Sequence, residues 1–461
     1  MRSTPELDAR TGLEKLATYP YQILTWVDDA GYPVSVAVDA RVDQVELTAR
    51  FEAPGGLSVP TDREVSLTGS HIRPQPGYGY DERRHVTVWG PATISGHTVS
   101  VAGRTAWGWD EAEVPFFEYS ERSVGKSRAY FDALSAERGT PVKPRLSFGF
   151  LTLRATRLPF LTATIVPVTL GILIAASHGA FDPFAAVLTI IGASFVQLGL
   201  NVANDVFDTL SGADDANVTP TKFSGGSRVI QYGLVSLRQM ATLSTVFYTL
   251  AGLSGLILLA THPSIPLLAI GIVGFIVSLG YTAPPLKFVY RGLGEIAVAL
   301  GFGPLMLLGA YVVQTNGALS WEPFVASIPV ALLVALILYV NEIPDRRGDA
   351  HAGKRTLPVR FSPTAVITGY NVAVIAAYVV LVAGVGAGLL PIPVLLMLLT
   401  IPLALRVSRG LEPNYDNPYG LMAIMGINVQ LHLMAGLLLL GAYLIVLIVG
   451  AVAPTVHLFL R

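Results

Sequence analysis

The sequence predicts an all-α polytopic membrane domain of about nine transmembrane helices, preceded by a soluble, mainly-β domain. Three observations predict it. Hydrophobic residues fill 52% of the 461 positions and charged residues only 14%, against about 25% charged in a soluble domain. The charge is uneven, with Asp, Glu, Arg and Lys crowding the first 150 residues. After Arg157 the chain becomes long apolar runs broken by short polar loops. Residues 1–150 are therefore expected to form one domain and residues 151–461 another. The net charge of −1 gives no case for nucleic acid binding. The absence of cysteine excludes disulfides, thiolate metal sites and cysteine nucleophiles.

The opening residues lack the apolar stretch of a signal peptide, so the first domain is expected to stay in the cytoplasm. Between residues 15 and 110, YQILTWV, VSVAVDA, QVELTARF, EVSLTG and HVTVWGPATISG read as short strands. Their alternation, their Thr and Val content and the turns DDAGYP and ISGHT fit an antiparallel sheet or barrel. Residues 121–137, ERSVGKSRAYFDALSAE, read as a helix.

A bilayer-spanning helix needs about 20 mostly apolar residues. Nine segments qualify, near 158–177, 183–203, 239–260, 264–281, 293–313, 323–341, 364–386, 389–405 and 420–452. With a cytoplasmic N-terminus, four connecting loops face the cytoplasm. They carry Lys222, Arg228 and Arg238; Lys287 and Arg291; Arg346, Arg347, Lys354, Arg355 and Arg360; and Arg406 and Arg409. The opposite loops, SHGAFD, THPSI, TNGALSWEP and a Gly-rich turn, hold no Lys or Arg. Basic residues mark the cytoplasmic side, so the asymmetry supports the count. A multi-pass cell-membrane protein is expected, with its first domain and its polar loops in the cytoplasm.

Two of those loops carry candidate chemistry. After the second span, Asn201, Asn204, Asp205 and Asp208 share one helical face. Asp214, Asp215, Lys222 and Arg228 follow. After the sixth span, Asn341, Asp345 and Asp349 are spaced four apart, one face again if the helix runs past Pro344. Lys354 and Arg355 follow. A lone Asp pair in a membrane loop is usually only solvated. Two matching clusters, both followed by basic residues, are not explained that way. Carboxylates facing one cavity repel, and a hard divalent cation relieves this. Magnesium takes few carboxylates and completes its shell with water and phosphate oxygens. A diphosphate bridging such ions, with Lys and Arg nearby, completes a site. A metal- or proton-coupled transporter also uses buried charge, but near the bilayer midplane rather than at helix ends.

At these loops the sequence resembles the UbiA superfamily of intramembrane aromatic prenyltransferases, over roughly residues 150–455. The motifs are Asn204-Asp205-x-x-Asp208 and Asp345-x-x-x-Asp349. SGGSRVI, YTAPPLKFVYRGLGE, DRRGDAHAGKRTLPVR and ATRLPFLTATIVPVTLG are similar to the branch that prenylates 1,4-dihydroxy-2-naphthoate for menaquinone. The resemblance implies a polyprenyl diphosphate donor, an aromatic acceptor and Mg2+ held by Asp205, Asp208, Asp345 and Asp349, with Asp214 a further candidate. It implies diphosphate contacts from Asn201, Asn204, Asn341, Lys222, Arg228, Lys287, Lys354 and Arg355. Tyr281 is placed to shield an allylic cation or simply to pack. Arg291 and Glu295 are spaced to pair across one helical turn. A hydroxybenzoate, lipid or porphyrin-type acceptor stays open, as does a lipid-binding or transport protein on the same fold.

The first domain departs from that branch. Its strand-DDxGYP-strand pattern and later RRxVTVWG are similar to split β-barrels of the pyridoxamine-phosphate-oxidase-like class, which often bind flavin mononucleotide (FMN). That likeness makes His71, Arg83 and Arg84 candidates for a phosphate, or else ordinary strand charges.

Overall fold

The computed structural model describes residues 6–75, 79–144, 146–217, 219–453, 455–456 and 458–460. The chain forms two compact units that divide between Ser127 and Arg128. The helix Phe116–Arg138 carries the chain across that division.

The first unit is a nine-stranded antiparallel sheet. Its strands are β1 (Glu6–Leu7), β2 (Gln22–Val27), β3 (Pro33–Val38), β4 (Arg41–Asp43), β5 (Thr48–Glu52), β6 (Glu64–Gln75), β7 (Gly79–Ser95), β8 (Thr98–Ala102) and β9 (Thr105–Asp110). The path is β3-β2-β6-β7-β8-β5-β4, with β9 on β7 and β1 on β9. Alternate residues turn inward, as the period-two pattern requires. Leu24, Trp26, Phe51, Val65, Leu67, Val86, Val88, Val99 and Val101 form the core, with Leu13 and Leu16 from the short helix Ala9–Leu16. The long strand β7 changes partner midway. It pairs with β6 up to Pro91 and with β8 from Ala92. Gly90 permits the crossing, because a Cβ there would lie 1.7 Å from the Ala102 carbonyl oxygen.

The second unit is helical. Each of the nine apolar segments forms a helix, labelled here α1 (Leu158–Ser177), α2 (Pro183–Ser211), α3 (Leu237–Thr261), α4 (Ile265–Gly280), α5 (Gly294–Gln314), α6 (Trp321–His351), α7 (Pro363–Gly386), α8 (Ile392–Asn414) and α9 (Pro418–Val452). Among the described residues, all but α4 are long and apolar enough to cross a membrane. The expected fourth span is therefore shorter than its sequence suggested. Ser264 caps α4 and Pro266 occupies its first turn, and the helix ends at Gly280 after 16 residues. That is about 24 Å of helix, less than the roughly 30 Å hydrocarbon core.

Helix starts follow from local chemistry. Asp182, Ser264, Ser320 and Ser362 accept backbone N–H bonds as N-caps, satisfying donors the helix cannot. Ser236 and Gln239 form a reciprocal capping box at α3. Helix α6 is central. Ala326, Val330, Leu333, Val334, Leu336, Val340 and Ile343 are all buried in the main core. It continues through Pro344 to His351, so Asn341, Asp345 and Asp349 do share a face. Helix α5 passes through one wide turn, Gly301–Leu305, at Pro304, where the missing N–H cannot close a normal turn.

Candidate active site

The two Asp-bearing loops converge on one polar cavity of about 180 Å3. Its wall includes Asp208 and Asp214 from the first cluster, and Asp345 and Asp349 from the second. Asn201, Asn204, Asn341, Tyr281 and Lys354 also line it. Asn217, Phe223, Ser224, Gly225 and Gly226 line it as well. Asn217 Nδ2 donates to Asp345 Oδ1 at 2.8 Å, and the Gly225 N–H donates to Asp345 Oδ2 at 2.9 Å. Gly226 sits at φ +77°, and a Cβ there would lie 2.9 Å from both Asp214 carboxylate oxygens. The backbone approaches Asp214 only because no side chain intervenes.

Lys354 ties the clusters together. Its Nζ lies 2.7 Å from Asp208 and 3.7 Å from Asp349. Burial alone would lower its pKa, but the Asp208 and Asp349 carboxylates hold it well above the ordinary lysine value. Tyr290 OH donates to Asp208 Oδ1 at 2.9 Å, and Asn204 Nδ2 donates to Asp208 Oδ2 at 3.1 Å. Asp214 is different. Its Oδ2 is buried without a hydrogen-bond partner among the described residues. Burial, then the charges of Asp208 and Asp205, push its carboxyl well above the usual range.

Other expected residues lie further off. Asp205 is buried beside the cavity, bonded to Arg157 and to the Ser227 N–H at 3.2 Å; Arg157 itself lines the wall. Arg228 is buried and donates to the Asp214 backbone carbonyl. Lys287 rests over the Tyr290 ring at 5.1 Å. Lys222 and Arg355 are exposed and outside the cavity lining. Arg291 and Glu295 do not pair. Regular helix resumes only at Gly294, so the two do not share one helical turn, and Arg291 donates to the Pro285 carbonyl at 2.8 Å. Glu295 turns inward toward Glu342.

Sequence reading missed Arg157, Asn217, Tyr290 and Glu342. Arg157 and Tyr290 flank spans as ordinary boundary residues do. Glu342 stands between Asn341 and Asp345, so the motif spacing itself could have drawn notice to it.

These carboxylates fit magnesium. Among the described residues, no three acidic or imidazole groups form a ready-made metal cage. Magnesium does not require one, since it usually takes one or two carboxylates and fills its shell with water and phosphate. Asp214, with its orphaned oxygen, lines the same cavity as Asp208, and a cation held there would satisfy it.

The polar cavity adjoins an apolar one of about 600 Å3, and Gln197, Leu200, Tyr281, Val298 and Phe302 line both. Glycines and aliphatic residues of α2–α5 dominate the apolar wall, and Leu256, Ile272, Phe275 and Ile276 on it are exposed.

In the first unit, the three phosphate candidates already have partners. His71 Nε2 lies 3.5 Å from Glu82. Arg83 donates from Nε to Glu111 at 3.0 Å. The Arg84 guanidinium lies 5.9 Å from the Tyr19 ring centre. A phosphate would meet the Glu82 and Glu111 carboxylates first, so this set does not fit a flavin phosphate.

Comparison with known proteins places the helical unit. A model of the UbiA prenyltransferase family matches residues 164–425. The chain is 28% identical over 300 residues to 2-carboxy-1,4-naphthoquinone phytyltransferase of Synechocystis sp., covering 64% of this chain and 92% of that one. It is 26% identical over 301 residues to 1,4-dihydroxy-2-naphthoate octaprenyltransferase of Bacillus subtilis, covering 65% and 94%. A solved UbiA homolog from Archaeoglobus fulgidus bound to DMAPP and Mg2+ aligns at 16% identity and a TM-score of 0.45, covering 63% and 99%.

Proposed function

This chain belongs to the UbiA prenyltransferase family, and we propose that it moves a polyprenyl group from an allylic diphosphate onto 1,4-dihydroxy-2-naphthoate in a magnesium-dependent reaction. The observation that carries this reading is the single cavity where two Asp clusters and Lys354 meet, opening onto an apolar cavity. A diphosphate needs the first and a prenyl chain the second. The naphthoate acceptor is supported by the names of the relatives above and by the runs SGGSRVI and DRRGDAHAGKRTLPVR.

Asp208, Asp214, Asp345 and Asp349 would hold magnesium, which supplies charge to offset the diphosphate as it leaves. Asp205 backs the first cluster by orienting Arg157. Asn201, Asn204 and Asn341 offer amides to the diphosphate, and Lys354 and Arg157 offer cationic donors. Lys354 then stabilises the leaving group as the allylic C–O bond breaks, since a fixed donor in a dry site is worth far more than in water. Tyr281 stands where the two cavities join. Its ring face would attract the allylic cation and keep water from it. The electron-rich acceptor ring attacks that cation and then gives up the proton of the attacked ring carbon to the released diphosphate or to water, and the prenyl tail lies among α2–α5 or reaches into lipid. The positively charged loops support a cytoplasmic location for this site.

Asp208→Asn and Asp345→Asn test the reading. Each is expected to lose transfer by at least about a hundredfold while melting as a folded protein, and a chelator should do the same to the wild type. Retained transfer in either variant would refute a site built from both clusters.

A further inference from the structure

Beside the Asp clusters lies a second pair of acids that the steps above do not use. Glu342 on α6 is 5% exposed and lines the polar cavity. Neither of its carboxylate oxygens has a hydrogen-bond partner among the described residues. Glu295, in the first turn of α5, is 8% exposed, and its Oε1 is likewise unpartnered. Glu295 lies near enough to Glu342 for the two charges to repel. Two neighbouring buried carboxylates repel each other, and a hydrogen-bond donor reaching either one relieves the pair. That arrangement leaves oxygens of Glu342 facing the cavity as acceptors.

A buried acceptor without a donor is costly and rare. Among the described residues no protein donor is bonded to either Glu342 oxygen. Lys354 serves Asp208 and Asp349, and the Asn341 amide donates to the Phe223 carbonyl at 3.1 Å. Because Glu342 lines the cavity, a ligand with a hydrogen to donate would complete it. A diphosphate has none to give and would be repelled by Glu342. A hydroxylated aromatic ring does donate, and Tyr281 lines the cavity alongside Glu342.

We propose that Glu342, backed by Glu295, forms the subsite that accepts a hydrogen bond from a hydroxyl of the aromatic acceptor, and so selects hydroxylated rings. The proposal rests on the prenyltransferase reading. It makes Glu342 a substrate-binding residue and Glu295 a positioning residue.

The test uses the full chain, purified in detergent, with 1,4-dihydroxy-2-naphthoate and its 1,4-dimethoxy analogue as probes. Glu342→Leu, Glu342→Gln and Glu295→Leu are compared with wild type by acceptor binding without donor, and by KM for acceptor and donor separately. Glu342→Leu should weaken dihydroxynaphthoate binding about tenfold to a hundredfold and leave the donor KM within about threefold. It should not weaken binding of the dimethoxy analogue. Glu295→Leu should move the same way by less. If Glu342→Leu does not fold, the isosteric Glu342→Gln carries the test, and it should narrow the preference for the dihydroxy over the dimethoxy ring. Unchanged acceptor binding, or equal losses for donor and acceptor, would overturn the subsite. Failure of the wider reading looks different: the wild type would bind an allylic diphosphate yet prenylate no aromatic acceptor.

Discussion

Replacing Lys354 by Met removes one positive charge from the centre of the candidate site and keeps nearly the same side-chain volume. Lys354 is 7% exposed, with its ammonium 2.7 Å from Asp208 and 3.7 Å from Asp349. Stranding a buried partner in this way costs about 3–5 kcal/mol. Asp208 keeps the Tyr290 hydroxyl and the Asn204 amide, so the lower end applies, about 3 kcal/mol. Loss of one preorganised donor at a leaving group costs roughly a hundredfold to a thousandfold in kcat. The two effects separate in one experiment. Melting of Lys354→Met should drop in chelator and recover in magnesium, because a divalent cation neutralises the stranded carboxylates. Its kcat should stay low even with magnesium, because the donor to the diphosphate is gone. Lys354→Arg should fall between, since a guanidinium keeps the charge but not the point geometry. Wild-type kcat in Lys354→Met, with wild-type melting in chelator, would refute the idea that this lysine joins the two clusters.

Other perturbations read the same structure. Gly226→Ala should cost about 1–2 kcal/mol of stability and most of the transfer activity, because its φ is +77° and the new Cβ would sit 2.9 Å from Asp214; thermal melting with kinetics checks both. Far from the site, His178 bonds Glu322 at 2.8 Å and Tyr311 at 2.9 Å. Its bond to Glu322 raises the imidazole pKa. A raised folded-state pKa contributes stability that is complete below the unfolded value near 6.5 and is lost as pH rises through the folded value. The melting temperature of wild type relative to His178→Gln should therefore shrink from acid toward alkaline pH; a constant difference would contradict the charged pair.

Much of this was written in the sequence, for reasons that particular residues make plain. The apolar runs had to become helices, because unpaired backbone is intolerable in lipid. Helical spacing put Asn204, Asp208 and Asn341, Asp345, Asp349 on shared faces, and the structure keeps those faces. Spacing cannot say what stands opposite. It placed Asp205 with Asp208, yet Asp205 is turned to Arg157 and Ser227. It grouped Lys222 and Arg355 with Lys354, yet only Lys354 is drawn into the cavity. Loops between spans fold by tertiary contact, and Asn217 reaching Asp345 across 128 positions leaves no local trace. Glu342 was hidden because a Glu beside an Asp motif reads as more of the same charge. The expected run 264–281 overshot α4 by one residue at each end, Ser264 that caps it and Tyr281 that follows it.

The central claim is that one cavity brings an allylic diphosphate and an aromatic ring together. Purified protein incubated with magnesium, a polyprenyl diphosphate and 1,4-dihydroxy-2-naphthoate, with 4-hydroxybenzoate in a parallel reaction, tests it directly by mass spectrometry of the extracted lipid. The account predicts a prenylated naphthalene product that is absent without magnesium and absent in Asp208→Asn. Prenylated hydroxybenzoate alone would contradict the acceptor, and no prenylated product from protein that binds the diphosphate would contradict the transfer to an aromatic ring itself.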